Sequence, residues 1–495
     1  MVVITPSGRS ALARAPRRPS RLLPALTLAL VAGLLGAPAA TAAPEPGAPG
    51  IGDPYFPVDG NGGFDVTHYD VHDRYRFGSG RLSGWTTLTV QATQDLSSFH
   101  LDFLLPVRGV RVDGAAAEFS RPRPHEVRIE PATPLTSGEE FTVRVAYSGL
   151  PDRRSYDGES NWLADRHEVV AMNQPHMAPW WFPSNDHPAD KALMDTSITV
   201  PAGKKVVANG RPVGRERVAG GLTTHHWRAD EPMATYLAMF AAGPFHVERS
   251  QVATRQGGPV PVRLLVSKRL TDERYAASLK MLRRTPALLR ELQDDLGDYP
   301  FSAAGGLVTS LPVGFALENQ TIPTYFWVGR GDYDWLVVHE QAHQWFGDSV
   351  AIERWRDIWL NEGGATFFEI RHRELNRNLD PQKWLERKWD QHGLHDPFWD
   401  LEIADPGAGR IFANAIYYRG GMTFQALRHR IGEADYWRLL RRFVRTYEGG
   451  NATTEDFEAM AEDVSGEDLE GFFAAWIHSD ARPARTRANG FDVEG

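Results

Sequence analysis

Within Val337 to Gly347, VVHEQAHQWFG, two histidines stand four residues apart with a glutamate beside the first: His339, Glu340 and His343. On an α-helix, residues i and i+4 leave the same face one turn apart, so both imidazoles can reach one cation. The adjacent carboxylate can then take a proton from a water bound there. This is the H-E-x-x-H pattern of a water-activating zinc site. The bland alternative is a helix carrying these residues by accident. Chance alone produces the pattern in roughly one random chain in thirty of this composition. Nineteen residues after His343, in WLNEG, comes Glu362. Requiring a third ligand at that spacing lowers the chance to roughly one chain in four hundred. Two imidazoles and one carboxylate leave a coordination position open for water, as in a catalytic rather than a structural site, so one Zn²⁺ per chain is expected on His339, His343 and Glu362.

The elements that must hold these residues come from hydrophobic periodicity. From about Phe56 to Phe245 the period is two, in WTTLTVQA, VRGVRVDG, HEVRIEP, FTVRVAYSG and LTTHHWRAD, with Gly, Pro, Asp and Ser turns between them. An all-β domain over 55–247 is the economical reading. From about Thr271 the period becomes helical, in ERYAASLKMLRRTPALLRELQDDLG, the His339 stretch, LNEGGATFFEIRHREL, NAIYYRGGMTFQALRHRI and two further amphipathic segments. GGLVTS and PVGFALEN read as strands bordering a cleft. A mixed, mainly helical domain over 248–495 is expected, and no internal repeat stands out.

The first 42 residues read as a signal peptide. Five arginines and no acid precede the apolar run Leu22 to Ala37, which is shorter than the ~20 residues of a membrane span. Ala40-Thr41-Ala42 offers the small-x-small cleavage site, so the mature chain is expected to be secreted, starting at Ala43 with no membrane anchor. APEPGAPG then opens a linker over 43–54 without means to pack. The absence of cysteine leaves an exported chain without disulfides or thiolate ligands, so a metal must rest on histidine and carboxylate. Losing the five arginines takes the net charge from −9 to −14, which argues against nucleic acid or an anionic membrane as partner. Oligomeric state is not legible.

HEQAHQWFGD, RDIWLNEG and an A-L-E-N segment upstream together resemble the zinc aminopeptidases of the alanyl aminopeptidase type, the gluzincin family that also includes a leukotriene epoxide hydrolase. The resemblance covers nearly the whole mature chain, with NQPHMAPWWFPSNDHPADKA and DYPFSAAGGLV as further matching segments. It implies a multidomain fold, a saddle-like β-domain followed by a thermolysin-like catalytic domain. It also implies peptide substrates, with Glu340 as general base. The family's Tyr-x-Lys-Gly spacing falls on Tyr417, Tyr418, Arg419 and Gly420, making Tyr417 the oxyanion donor and Tyr418 an intervening, packing residue, with Arg in place of Lys. The family's Gly-Ala-Met-Glu-Asn falls on Phe315, Ala316, Leu317, Glu318 and Asn319. Glu318 is then the acid that binds the substrate's α-ammonium, with Ala316 and Asn319 on the strand along the substrate, and Gln174 a second group at the amine. Phe315 replaces the leading glycine, which bears on the path of that strand.

Glu369, seven residues after Glu362 and on the same helix face, matches a family acid that orients a ligand imidazole. Asp357 has two open readings, a cap at the start of the helix that carries Glu362 or a group near the metal. Trp345, Trp355 and Trp359 read as core. Members of the family commonly carry a large helical domain after the catalytic one, and 78 residues follow Tyr417, so a more open cleft is expected. The alternatives to a secreted aminopeptidase are an endopeptidase or epoxide hydrolase on the same metal site, or a non-catalytic peptide-binding relative.

Overall fold

Strand Phe64–Arg76 shows how the β half is specified. Phe64 and Val66 are buried, then Tyr69, Val71 and Tyr75. The alternation changes phase at Thr67 because the register with the neighbouring strand shifts between Val66 and His68, a bulge that turns the second apolar set back toward the core. In the computed structural model, which describes residues 43–492, this strand lies in an eleven-stranded sheet. Phe64–Arg76 pairs antiparallel with Arg81–Ala92 and parallel with Lys191–Pro201. Each period-two segment of the sequence forms a strand: Arg81–Ala92, Val107–Val112, Glu126–Glu130, Glu140–Gly149 and Leu222–Ala234. A second sheet joins Lys205–Ala208, Phe240–Gly243, Val169–Ala171 and Trp162–Ala164. The signal-peptide segment and its cleavage site lie outside the described residues.

Residues 43–54, expected as an unpacked linker, pack. Glu45–Pro46 pairs parallel with Leu96–Asp102, and the Gly47 N–H donates to Ser98 O at 2.8 Å. Buried Asp53 accepts from the Trp355 N–H at 3.1 Å and lies 3.1 Å from His187 Nε2. Composition missed this because the segment contributes backbone and one carboxylate, not apolar surface. The described residues accordingly form one compact unit.

The second half opens with the hairpin Phe245–Val252 and Val260–Ser267, extended in parallel by Ala304–Val308 and Thr324–Tyr325. A parallel connection needs a crossover, and helices Asp272–Leu282 and Thr285–Leu296 supply it. GGLVTS lies at the Ala304–Val308 strand, as expected. PVGFALEN is not a strand: only Leu317 pairs, exchanging two hydrogen bonds with Thr324 at 2.8 and 2.9 Å. Pro312 has no N–H to give a ladder, and Gly314 has no side chain to pack.

Three helices position the chemistry. Asp334–Ala342 carries His339 and Glu340, with Leu336 through Ala342 all buried. Trp359–Arg377 carries Glu362, and Asn414–Ile431 carries Tyr417. The last two cross at glycines. A Cβ on Gly420 would lie 2.7 Å from Gly363 Cα, and one on Gly363 would lie 2.8 Å from Gly420 Cα, so only glycine permits this approach. Glu362 and Tyr417 flank that crossing.

Asp357 fits neither of its two readings. It lies in the 3₁₀ turn Trp355–Ile358, fully buried, and accepts from Arg354 and from the Thr454 N–H and hydroxyl at 3.1 and 2.7 Å. It therefore satisfies an orphan donor at the start of a different helix, Thr454–Ser465. Trp345, Trp355 and Trp359 are core, each at most 2% exposed.

Candidate metal centre and substrate cavity

His339 and His343 leave the end of helix Asp334–Ala342 with ring centroids 4.9 Å apart. Glu362 Oε2 lies 3.3 Å from His339 Nε2 and 3.4 Å from His343 Nε2. The three ligand atoms all fall within 4.8 Å of one another. The far nitrogens are held too. His343 Nδ1 donates to Phe346 O at 3.0 Å, and His339 Nδ1 lies 2.9 Å from Glu369 Oε1. Each contact keeps the proton on Nδ1 and presents the Nε2 lone pair to the shared centre.

The electrostatics call for a cation. Burial opposes charge on Glu362, but His343 and His339 outweigh it and hold the carboxyl down at about 2. Glu340 is pushed up to about 8, by burial first, with both imidazoles pulling the other way and Glu318 and Glu362 adding to the rise. Glu318 is raised mainly by burial. Glu318, Glu340 and Glu362, all buried, thus crowd two imidazoles, and the charge of a dication would balance them. The donor set, two neutral nitrogens and a carboxylate oxygen, fits Zn²⁺.

A cavity of about 460 Å³ opens onto this centre. Gln174, Ala316, Glu318, Glu340, Glu369 and Tyr417 all line it, with the three ligands. Gln174 Nε2 donates to Glu318 Oε1 at 3.0 Å, although 144 residues separate them. The Tyr417 ring stacks on His339 with centroids 6.0 Å apart, and its hydroxyl makes no hydrogen bond to a described residue. Burial, with Glu362 and Glu318 nearby, holds that phenol well above its ordinary range, so it stays a donor.

Two expectations change. Asn319 does not line the cavity: it is fully buried, and its Nδ2 donates to Leu237 O at 3.3 Å, because the chain turns inward after Glu318. Tyr418, expected only to pack, lines the cavity as well as lying beneath Lys388 Nζ at 4.3 Å. Phe315 stands at the cavity 43% exposed.

The sequence reading passed over Gln344, which ties the two halves of the site together. Its Nε2 donates to Glu318 O at 2.8 Å and its Oε1 accepts from the Thr321 N–H at 2.7 Å. Its place next to His343 was the available signal. Trp335 also lines the cavity, and its position one turn before His339 on the same face could have revealed it. Phe412 lines it from an irregular segment and left no signal in the sequence.

The description "Peptidase M1 N-terminal domain" matches residues 66–237, and "Peptidase family M1 domain" matches residues 330–476. The chain is 29% identical over 364 residues to aminopeptidase M1-C of Oryza sativa subsp. japonica, covering 68% of this chain and 39% of that protein. It is 27% identical over 480 residues to endoplasmic reticulum aminopeptidase 1 of Homo sapiens, covering 86% and 49%. The chain thus spans about half the length, or less, of these curated relatives. An M1 zinc metallopeptidase from Deinococcus radiodurans superposes with a TM-score of 0.79 at 28% identity, covering 88% of this chain and 99% of that one. That structure shares the architecture of a β-rich N-terminal part followed by a helical part. With the two family matches together spanning more than half of the sequence, and the His339, His343 and Glu362 set lying at the shared centre, the chain belongs to peptidase family M1, the zinc metallopeptidases.

Proposed function

We propose that this protein is a secreted zinc-dependent aminopeptidase that removes N-terminal residues from peptides. The observation that carries the reading is Glu318, a carboxylate 2% exposed, held by Gln174 in the same cavity as the three-ligand centre. A buried acid beside a hydrolytic centre suits a substrate's free α-ammonium, through charge-assisted hydrogen bonds. Relatives carrying aminopeptidase names support it, as does a Deinococcus radiodurans M1 structure described as bound to a Tyr-Ser-Ala substrate. The arginine-rich, acid-free leader before a short apolar run supports export.

Zn²⁺ held by His339, His343 and Glu362 would supply Lewis acidity to the scissile carbonyl and lower the pKa of a bound water. Glu340 takes the proton of the attacking water and returns it to the leaving amine. The Tyr417 hydroxyl donates to the oxygen on which negative charge develops. Glu318, with Gln174, fixes the amino terminus so that the first peptide bond faces Glu340. Glu369 keeps the His339 ring in one orientation.

The test is kcat/KM for a peptide with a free N-terminus and for its N-acetyl form, measured on wild type and on Glu318→Ala. Strong wild-type preference for the free amine, largely lost in the variant, supports the proposal. Equal cleavage of both forms, or cutting inside long blocked peptides, makes the enzyme an endopeptidase.

A further inference from the structure

Where the edge strand Arg211–Val218, its neighbour Leu222–Ala234 and the hairpin Phe245–Val252/Val260–Ser267 meet, a second cavity of about 600 Å³ opens, apart from the metal centre. Basic side chains line it and no Asp or Glu does, on a chain whose net charge is −9. The basic groups are set against one another by the strand register. Arg249 is the direct cross-strand partner of Arg263, and Arg215 that of His225. Like charges directly opposite on neighbouring strands destabilise a sheet. Lys205 and Lys268 add two more cations to the rim. None of Arg215, Arg249, Arg263, Lys205 and Lys268 forms an ion pair with a described residue, whereas arginines elsewhere on the surface pair readily, as Arg211 with Asp230 and Arg228 with Asp195 do. The nearest acid contact is on His246, whose Nε2 lies 3.3 Å from Glu248 Oε1, and Glu248 is itself engaged by Arg283.

Two groups are built into the cavity rather than lying loose. The Arg263 guanidinium sits 5.1 Å over the buried Trp227 ring, which fixes its plane. His225 Nε2 is buried and without a hydrogen-bond partner. Burial, then the adjacent Arg249, holds Arg263 below its ordinary range, and burial with Arg215 and Lys205 does the same for His225. Both groups lack a counter-charge.

We propose that this cavity is a binding site for a polyvalent oxyanion, a phosphate or a polycarboxylate, held between Arg249 and Arg263 with Arg215 and His225 closing on it. Planar guanidinium forks match the oxygens of both anions. An anion between Arg249 and Arg263 turns the repulsion of that cross-strand pair into attraction.

The experiment is isothermal titration of the mature protein with inorganic phosphate and, separately, with succinate, at about 0.01 M ionic strength, where screening is weak. Wild type and Arg249→Gln/Arg263→Gln are compared. Binding to wild type that weakens at least about tenfold in the double variant supports the site. Response to phosphate alone assigns a phosphate-bearing ligand, response to succinate alone a carboxylate one, and response to both the shared chemistry. The variant loses a like-charge pair, so without anion it melts at the same or a higher temperature than wild type. Should it fail to fold, Lys205→Gln/Lys268→Gln, at exposed rim positions, serves with the same expected direction. No heat with either anion, or equal binding by wild type and variant, overturns the proposal. Equal binding would place the anion elsewhere, at the metal centre for example.

Discussion

Glu340 can be separated from the metal ligands by a change that keeps its shape. Glu340→Gln retains the volume and removes the proposed base, so zinc is expected to stay bound while kcat falls by at least the ~10²-fold typical of a lost general base. Metal content measured beside turnover checks both halves of the statement. Tyr417→Phe keeps the ring stacked on His339 and removes the hydroxyl that the proposed mechanism aims at the developing oxyanion. The expected outcome is a lower kcat with little change in KM, and a rise in KM alone would make Tyr417 a binding group. For Glu318→Ala, the proposed function expects loss of a desolvated charge pair worth ~2–5 kcal/mol, falling on free-amine substrates only. His339, Glu340 and His343 were legible as a set because helical spacing is local and periodic, and Glu362 because an acid stands at a third-ligand distance along the chain. Asn319 was not, since a residue in an irregular loop carries no periodic sign of where its side chain points.

At the scale of elements, the crossing of helices Trp359–Arg377 and Asn414–Ile431 is the sensitive joint. Alanine for glycine inside a helix ordinarily stabilises by up to ~1 kcal/mol. Gly420→Ala should do the opposite, because the new Cβ would meet Gly363 Cα at 2.7 Å and force the helices apart, at a cost on the order of 1–3 kcal/mol. Displacing Tyr417 from Glu362 lowers kcat as well. Gly471→Ala, where a Cβ meets nothing within 4 Å, is the control expected to be neutral or stabilising in urea denaturation. Arg419, which stands where the family has lysine, explains itself only in three dimensions. Its fully buried guanidinium donates to six carbonyl oxygens, those of Trp399, Leu401, Ala475, Trp476, Ser479 and Ala481. A lysine's three donors could not serve six acceptors, so Arg419 is what pins the Trp399–Leu401 and Ala475–Ala481 segments to helix Asn414–Ile431.

For the whole molecule, stability should depend on pH through His176. Its Nε2 lies 2.5 Å from Asp59 Oδ2 and its Nδ1 3.2 Å from Glu159 Oε2, in the packed region between the large sheet and the helical half. Burial disfavours the charged ring, yet the two carboxylates outweigh it and raise the group from 6.5 to about 10. A pKa raised by folding means the folded state holds the proton more tightly. The contribution is therefore complete below about pH 6.5, shrinks as pH rises, and is gone above about pH 10. Comparing unfolding free energies of wild type and His176→Asn at pH 6, 8 and 10 should show the gap narrowing by on the order of 2–4 kcal/mol across that window. A gap independent of pH would mean that His176 is neutral in the folded protein.

The sequence by itself determined the period-two and helical stretches and singled out His339, His343, Glu362 and Glu318 as the groups to look for, because each rests on local spacing or on a short motif. Tertiary structure alone decided what depends on segments distant in the chain. It brought Gln174 to Glu318 across 144 residues, paired the backbone of 43–54 with the sheet and tied its Asp53 to Trp355 and His187, and sent Asp357 to cap Thr454 rather than its own helix. It also set Arg249 against Arg263 and Arg215 against His225. Hydrophobic periodicity records which face of an element is buried. It does not record which partner that face meets, since partner choice is settled by packing and register summed over the whole chain.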